Sequence, residues 1–122
     1  MKKLLVIALL AALPLAMFGQ TQSEMNAQAA ADFQKADKEL NKVYQQILKK
    51  YAQDTLFLKH LKAAQQRWIE FRDADFKRSM PHFEQGNTYY GSMYSLEKST
   101  FLEHMTLQRT VTLKEILKEG PR

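Results

Sequence analysis

Beyond residue 20, apolar side chains recur every three or four positions in three long stretches separated by two polar gaps. In the first, Met25, Ala29, Phe33, Ala36, Leu40, Val43, Ile47 and Tyr51 form one stripe, as expected of a helix with one buried face. Thr21, with Glu24 three residues later, makes a capping box that starts this helix near Gln22, and it ends near Ala52. Asp54 or Thr55 caps a second helix, whose stripe runs through Leu58, Leu61, Ala64, Trp68 and Phe71 and which Pro81 bounds. A third helix starts near Ser92 or Ser95, turns Leu102, Met105, Leu113 and Ile116 inward, and stops at Gly120-Pro121. The first gap is only a few residues long, which forces helices one and two into an antiparallel hairpin. The second gap, Pro81 to Gly91, is longer and carries Gly86-Asn87 as a turn signal. The pattern predicts an all-α protein, an antiparallel three-helix bundle of long helices.

The segment before residue 20 is of another kind. Lys2 and Lys3 lead into an apolar run from Leu4 to Phe18, followed by Gly19 and Gln20. A charged start, a short apolar stretch and a small residue describe an export signal. About fifteen apolar residues, with Pro14 among them, are too few for a comfortable membrane span. Residues 1–20 are therefore expected to be a cleaved signal peptide, and 21–122 a single domain in the periplasm or outside the cell. That domain keeps 16 of the 18 basic residues against all 13 acidic ones, a net charge of +3. Lys and Glu alternate along the helices rather than forming a basic face, which argues against nucleic acid as a partner. With no cysteine in the chain, the small exported domain must be held by packing rather than disulfides.

Reflecting the chain about its two turns gives relative heights. Residues on helices one and two whose numbers sum to about 107 lie level, as do residues on helices two and three that sum to about 174. Arg109 then lies level with Gln65 and close to Asn41. Arg72 lies level with Leu102 and near residue 35, within reach of Asp32 or Asp37. Both arginines fall on or beside apolar stripes, where a cation needs partners. Asp37, Asn41 and Tyr44 share one edge of the first helix and supply acceptors. The six residues Asp37, Asn41, Tyr44, Gln65, Arg72 and Arg109 form either an internal polar network that fixes helix register or an anion or ligand pocket between helices. Trp68 is expected in the core.

The same residues carry a resemblance. Ala36-Asp37-Lys38-Glu39-Leu40-Asn41-Lys42-Val43-Tyr44 resembles the first motif of the LprI-type lysozyme-inhibitor N-terminal-like family. Ala64-Gln65-Gln66-Arg67-Trp68-Ile69-Glu70-Phe71-Arg72-Asp73-Ala74 resembles its central motif, and Gly91-Ser92 with Thr106-Leu107-Gln108-Arg109 its closing one. The resemblance implies an envelope protein with lysozyme as its partner. It also places the family's usual cysteines at Gln28, Phe76 and Phe101, positions of similar height where packing now replaces a cross-link.

The connector holds His82, Phe83, Asn87, Tyr89 and Tyr90 in a polar, glycine-punctuated stretch, a composition that suits partner binding. Such rings also stack on sugars, so peptidoglycan or another envelope protein is the alternative partner. The competing expectation is that Phe83 and Tyr90 fold back and plug the end of the bundle. Catalysis finds little support. His60, His82 and His104 lack metal-ligand spacing, and no serine sits in a nucleophile elbow. Glu70 and Asp73 read as a solvated face supported by an Asp73–Lys77 pair. The expectation is a non-catalytic binding protein without metal or cofactor.

Overall fold

The computed structural model describes residues 20–122; the expected export signal, residues 1–20, lies outside the described residues except for Gln20. Three long helices account for most of the rest: α1 (Gln22–Lys50), α2 (Thr55–Ser79) and α4 (Tyr94–Glu119), with a single-turn α3 (Asn87–Tyr90) and a 3-10 turn, Gly91–Met93, before α4. The caps explain the boundaries. Glu24 N–H donates to Thr21 Oγ1 at 3.1 Å, and Phe57 N–H donates to Asp54 Oδ1 at 3.0 Å. Each satisfies one of the backbone donors that a helix start leaves without a partner. The last helix ends at Gly120, whose φ of 68° is natural for glycine. A β-carbon there would lie 2.7 Å from the Tyr51 ring. That ring packs tightly because Tyr51 Oη donates to the Leu117 carbonyl at 2.8 Å, beside Lys50 Nζ at 2.9 Å. One terminal carbonyl of α4 is thus satisfied by two donors from the end of α1.

Direction follows from such contacts. Asn26, near the start of α1, donates its Nδ2 to the Ser92 carbonyl at 3.1 Å, just before α4 begins. The two helices therefore run parallel, and α2 runs antiparallel to both. The core is Leu40, Val43 and Ile47 from α1, Leu61 from α2 and Leu113 from α4, with Tyr44, Trp68, Leu58 and Ile116 packed around it. Each buried aliphatic side chain there contributes about 1.5–3 kcal/mol.

The closest helix pair is α1 with α4, not the sequence-adjacent α1 and α2. Small side chains allow it: Ala29 and Ala36 on α1 are buried, as are Thr106 and Thr110 on α4. The inward face of α4 is thus formed by Thr106, Thr110 and Leu113, while Leu102, Met105 and Ile116 are only partly buried. Thr110 tolerates burial because it bonds within its own helix, its Oγ1 donating to the Thr106 carbonyl at 2.9 Å.

The expected stripe on α2 faces the core at Leu58, Leu61 and Trp68 but fails at Ala64 and Phe71. Phe71 is 60% exposed and Ala64 is also exposed. The buried positions are Leu61, Gln65 and Phe76, and the Arg72 side chain is only 14% exposed. One residue of helix is about 100°, so turning Arg72 inward puts Phe71 out. Polar side chains occupy this face because they find aromatic and amide partners there.

Candidate functional site

Two regions hold the residues singled out in sequence. The first lies between α1 and α2, where bulky side chains keep the helices apart. Asp37, Leu40, Asn41 and Tyr44 from α1 and Lys62, Gln65, Gln66, Trp68, Ile69 and Arg72 from α2 line a cavity of about 250 Å³. Five of the six network residues line it. The sixth, Arg109, donates Nε to Gln65 Oε1 at 3.0 Å, at the predicted height. Arg109 carries no acceptor, so the Gln65 amide must present oxygen to it. Burial pushes the Arg109 guanidinium below its ordinary pKa and the Tyr44 hydroxyl above its own. Asn41 Nδ2 lies 3.5 Å from Asp37 Oδ2, one turn away on α1.

Arg72 corrects the sequence reading. It meets neither Asp32 nor Asp37; its Nε donates to Asp73 Oδ1 at 3.1 Å. Its guanidinium carbon lies 5.2 Å from the Trp68 ring centre and 5.9 Å from that of Phe33. Asp32 instead accepts from Gln28 on its own helix. The aromatic faces replace the expected carboxylate, since a flat, weakly hydrated guanidinium packs against rings at modest desolvation cost. Trp68 carries a second cation, Arg109, at 5.9 Å, and is partly buried against the core rather than enclosed by it. Sequence reasoning missed Asp73 as a partner because adjacent helical residues do not ordinarily face each other. It missed Phe33 although the height estimate had brought Arg72 to that level. The Asp73–Lys77 pair does not form; Lys77 Nζ lies 5.2 Å from the Phe83 ring centre.

The second region is the connector at the pole where α2 ends and α4 begins. It divides into two parts. Phe83 folds inward onto Phe76, whose ring also meets Tyr94 and Phe101 at centroid distances of 6.4 and 5.9 Å. Phe76 and Phe101 are two of the positions where the family resemblance places cysteine. The third, Gln28, is exposed on α1. Tyr90 is only partly exposed, stacks on Tyr94 at 5.9 Å, and accepts the His82 N–H at 3.0 Å. Phe83 and Tyr90 therefore close the end of the core. His82, Asn87 and Tyr89 stay outside. The His82 and Tyr89 rings lie stacked, 4.0 Å apart and 20° from parallel, with Tyr89 55% exposed. Gly86, with φ of 51°, turns the chain into α3, which presents Tyr89 and Tyr90 in different directions.

The family model described as lysozyme inhibitor LprI matches residues 16–113. The chain belongs to the LprI family. The match takes in all three long helices except the last residues of α4, and with them the cavity and the connector. No curated protein and no solved structure matches the chain. The family's description is of inhibitors, a protein-binding role. Among the described residues no group of three His, Asp or Glu side chains is placed to hold a metal ion, and no helix is long and apolar enough to cross a membrane.

Proposed function

We propose that this protein is exported and acts without catalysis, binding a lysozyme-type muramidase through the Pro81–Gly91 connector and blocking its sugar-binding cleft. One observation carries the reading: the stacked His82–Tyr89 pair, exposed at one pole and braced from behind by the His82 N–H to Tyr90 Oη bond. A pre-set aromatic projection loses little conformational entropy on docking, which favours its use as a binding hot spot. Glycosidase clefts carry two carboxylates, and His82 and Asn87 supply donors beside the ring to meet them. The net charge of +3 on residues 21–122 gives no long-range attraction to a basic lysozyme, so short-range contacts carry the affinity and added salt should not weaken it.

The test is cell-wall lysis by several lysozyme types with the protein titrated in, at low and moderate salt. Stoichiometric inhibition of at least one type is the expected result. Absence of inhibition at any ratio, together with retention of the protein on sedimented peptidoglycan, would overturn the reading and assign the aromatic pair to glycan binding instead.

A further inference from the structure

We propose that the cavity between α1 and α2 binds a small carboxylate-bearing molecule of amino-acid or dipeptide size, held at Arg72 against the Trp68 ring. This site is separate from the connector, and the inference stands whether or not the protein inhibits lysozyme.

Hydrogen-bond donors without partners line this cavity. Arg72 commits only Nε, to Asp73; its two terminal NH2 groups make no hydrogen bond among the described residues. Gln65 gives its oxygen to Arg109, which leaves its amide N–H groups as donors to the cavity that it lines. The Tyr44 hydroxyl has no hydrogen-bond partner among the described residues, and Lys62 adds an ammonium group. Against these donors the wall offers one carboxylate, Asp37. The other side-chain acceptors of the wall are the amide oxygens of Asn41 and Gln66; neither bonds Arg72, and a carboxylate offers the two-pronged geometry that a guanidinium favours.

Three further features narrow the ligand. Arg72 is 14% exposed and lies against the Trp68 and Phe33 rings, so its plane is fixed before anything binds. About 250 Å³ falls below the roughly 300–1,000 Å³ typical of drug-sized ligands, which limits the occupant to an amino acid, a dipeptide or a comparably small acid. Asp37 opposes a doubly charged phosphate but suits an ammonium group, as carried by a zwitterion. Leu40 and Ile69 furnish apolar wall for a short side chain.

Trp68 is the only tryptophan in the chain, so its fluorescence reports directly on the cavity. The experiment titrates the full protein with alanine, alanyl-alanine, alanyl-alanine amide and inorganic phosphate, following Trp68 emission and confirming saturation by calorimetry. The acids should give a saturable change, with the amide at least tenfold weaker and phosphate weaker than the dipeptide. Arg72→Gln should lower dipeptide affinity at least tenfold and Arg72→Lys less, while Phe71→Ser, on the exposed side of α2, should leave it unchanged. Circular dichroism checks the fold of each variant, and if Arg72→Gln does not fold, the acid–amide comparison in the unaltered protein decides. No saturable response to any acid, equal affinity for acid and amide, or undiminished binding by folded Arg72→Gln would overturn the assignment.

Discussion

Arg109 Nε and Gln65 Oε1, forty-four residues apart in the chain, meet at 3.0 Å and tie α4 to α2 beside the Trp68 ring. Gln65 is 7% exposed, so its oxygen has little water to turn to if the arginine is removed. Arg109→Met should therefore destabilise the protein by about 1–3 kcal/mol. That is a fall in melting temperature of roughly 4–8 °C per kcal/mol for a domain of this size. Adding Gln65→Leu should recover part of the loss. A double-mutant cycle by thermal denaturation would measure the coupling, and strictly additive effects would deny that the pair acts together.

Thr106 presents the opposite case. It is fully buried between α4 and α1, and its hydroxyl oxygen has no hydrogen-bond partner. Valine has the same shape without the polar atom. Thr106→Val should raise stability by about 1 kcal/mol, since an unsatisfied buried group costs roughly 1–3 kcal/mol. Chemical denaturation with an unchanged m-value would check it.

The connector predicts a division of labour among neighbouring rings. Tyr89→Ser should change stability by less than about 0.5 kcal/mol, as exposed positions do, yet weaken lysozyme binding by about 2 kcal/mol or more if Tyr89 is the hot spot. Phe83→Ser removes a ring packed on Phe76 and should lower the melting temperature. Inhibition titrations beside melting curves separate the two. A Tyr89→Ser protein that melts early but still inhibits would reverse the roles.

Tyr44 makes stability sensitive to alkali. Burial raises its hydroxyl pKa above the ordinary 10.0, so the unfolded chain releases that proton first as pH rises. The contribution is fully present below about pH 10 and is lost as pH climbs through the folded-state value. Melting temperatures taken between pH 8 and pH 11 should fall more steeply for the natural protein than for Tyr44→Phe.

Much of this architecture is legible in the chain because local rules fix it. The capping residues Thr21 and Asp54 and the terminal Gly120 set helix ends within a residue or two, and counting along two turns brought Arg109 to Gln65. Helix phase is less accessible. The apolar spacing that placed Phe71 inside is only one residue out of step with the face that is buried, and what decides between them is whether Arg72 finds rings to lie against. Those rings come from Trp68 one turn earlier and from Phe33 on another helix. The threonine face of α4 escapes detection for a related reason: apolarity marks burial, whereas close helix approach selects for small size. The short α3 was hidden within a turn signal, because a single helical turn leaves no periodicity to read.

The bond from Asn26 to Ser92 puts the start of α1 beside the connector, while the end of α1 meets the end of α4 at Leu117. Arg122 and the His82–Tyr89 pair therefore sit at opposite poles. A biosensor chip that grips the protein through Arg122 would hold Tyr89 out toward an analyte, whereas one attached at Gln20 would press it against the matrix and mute the signal.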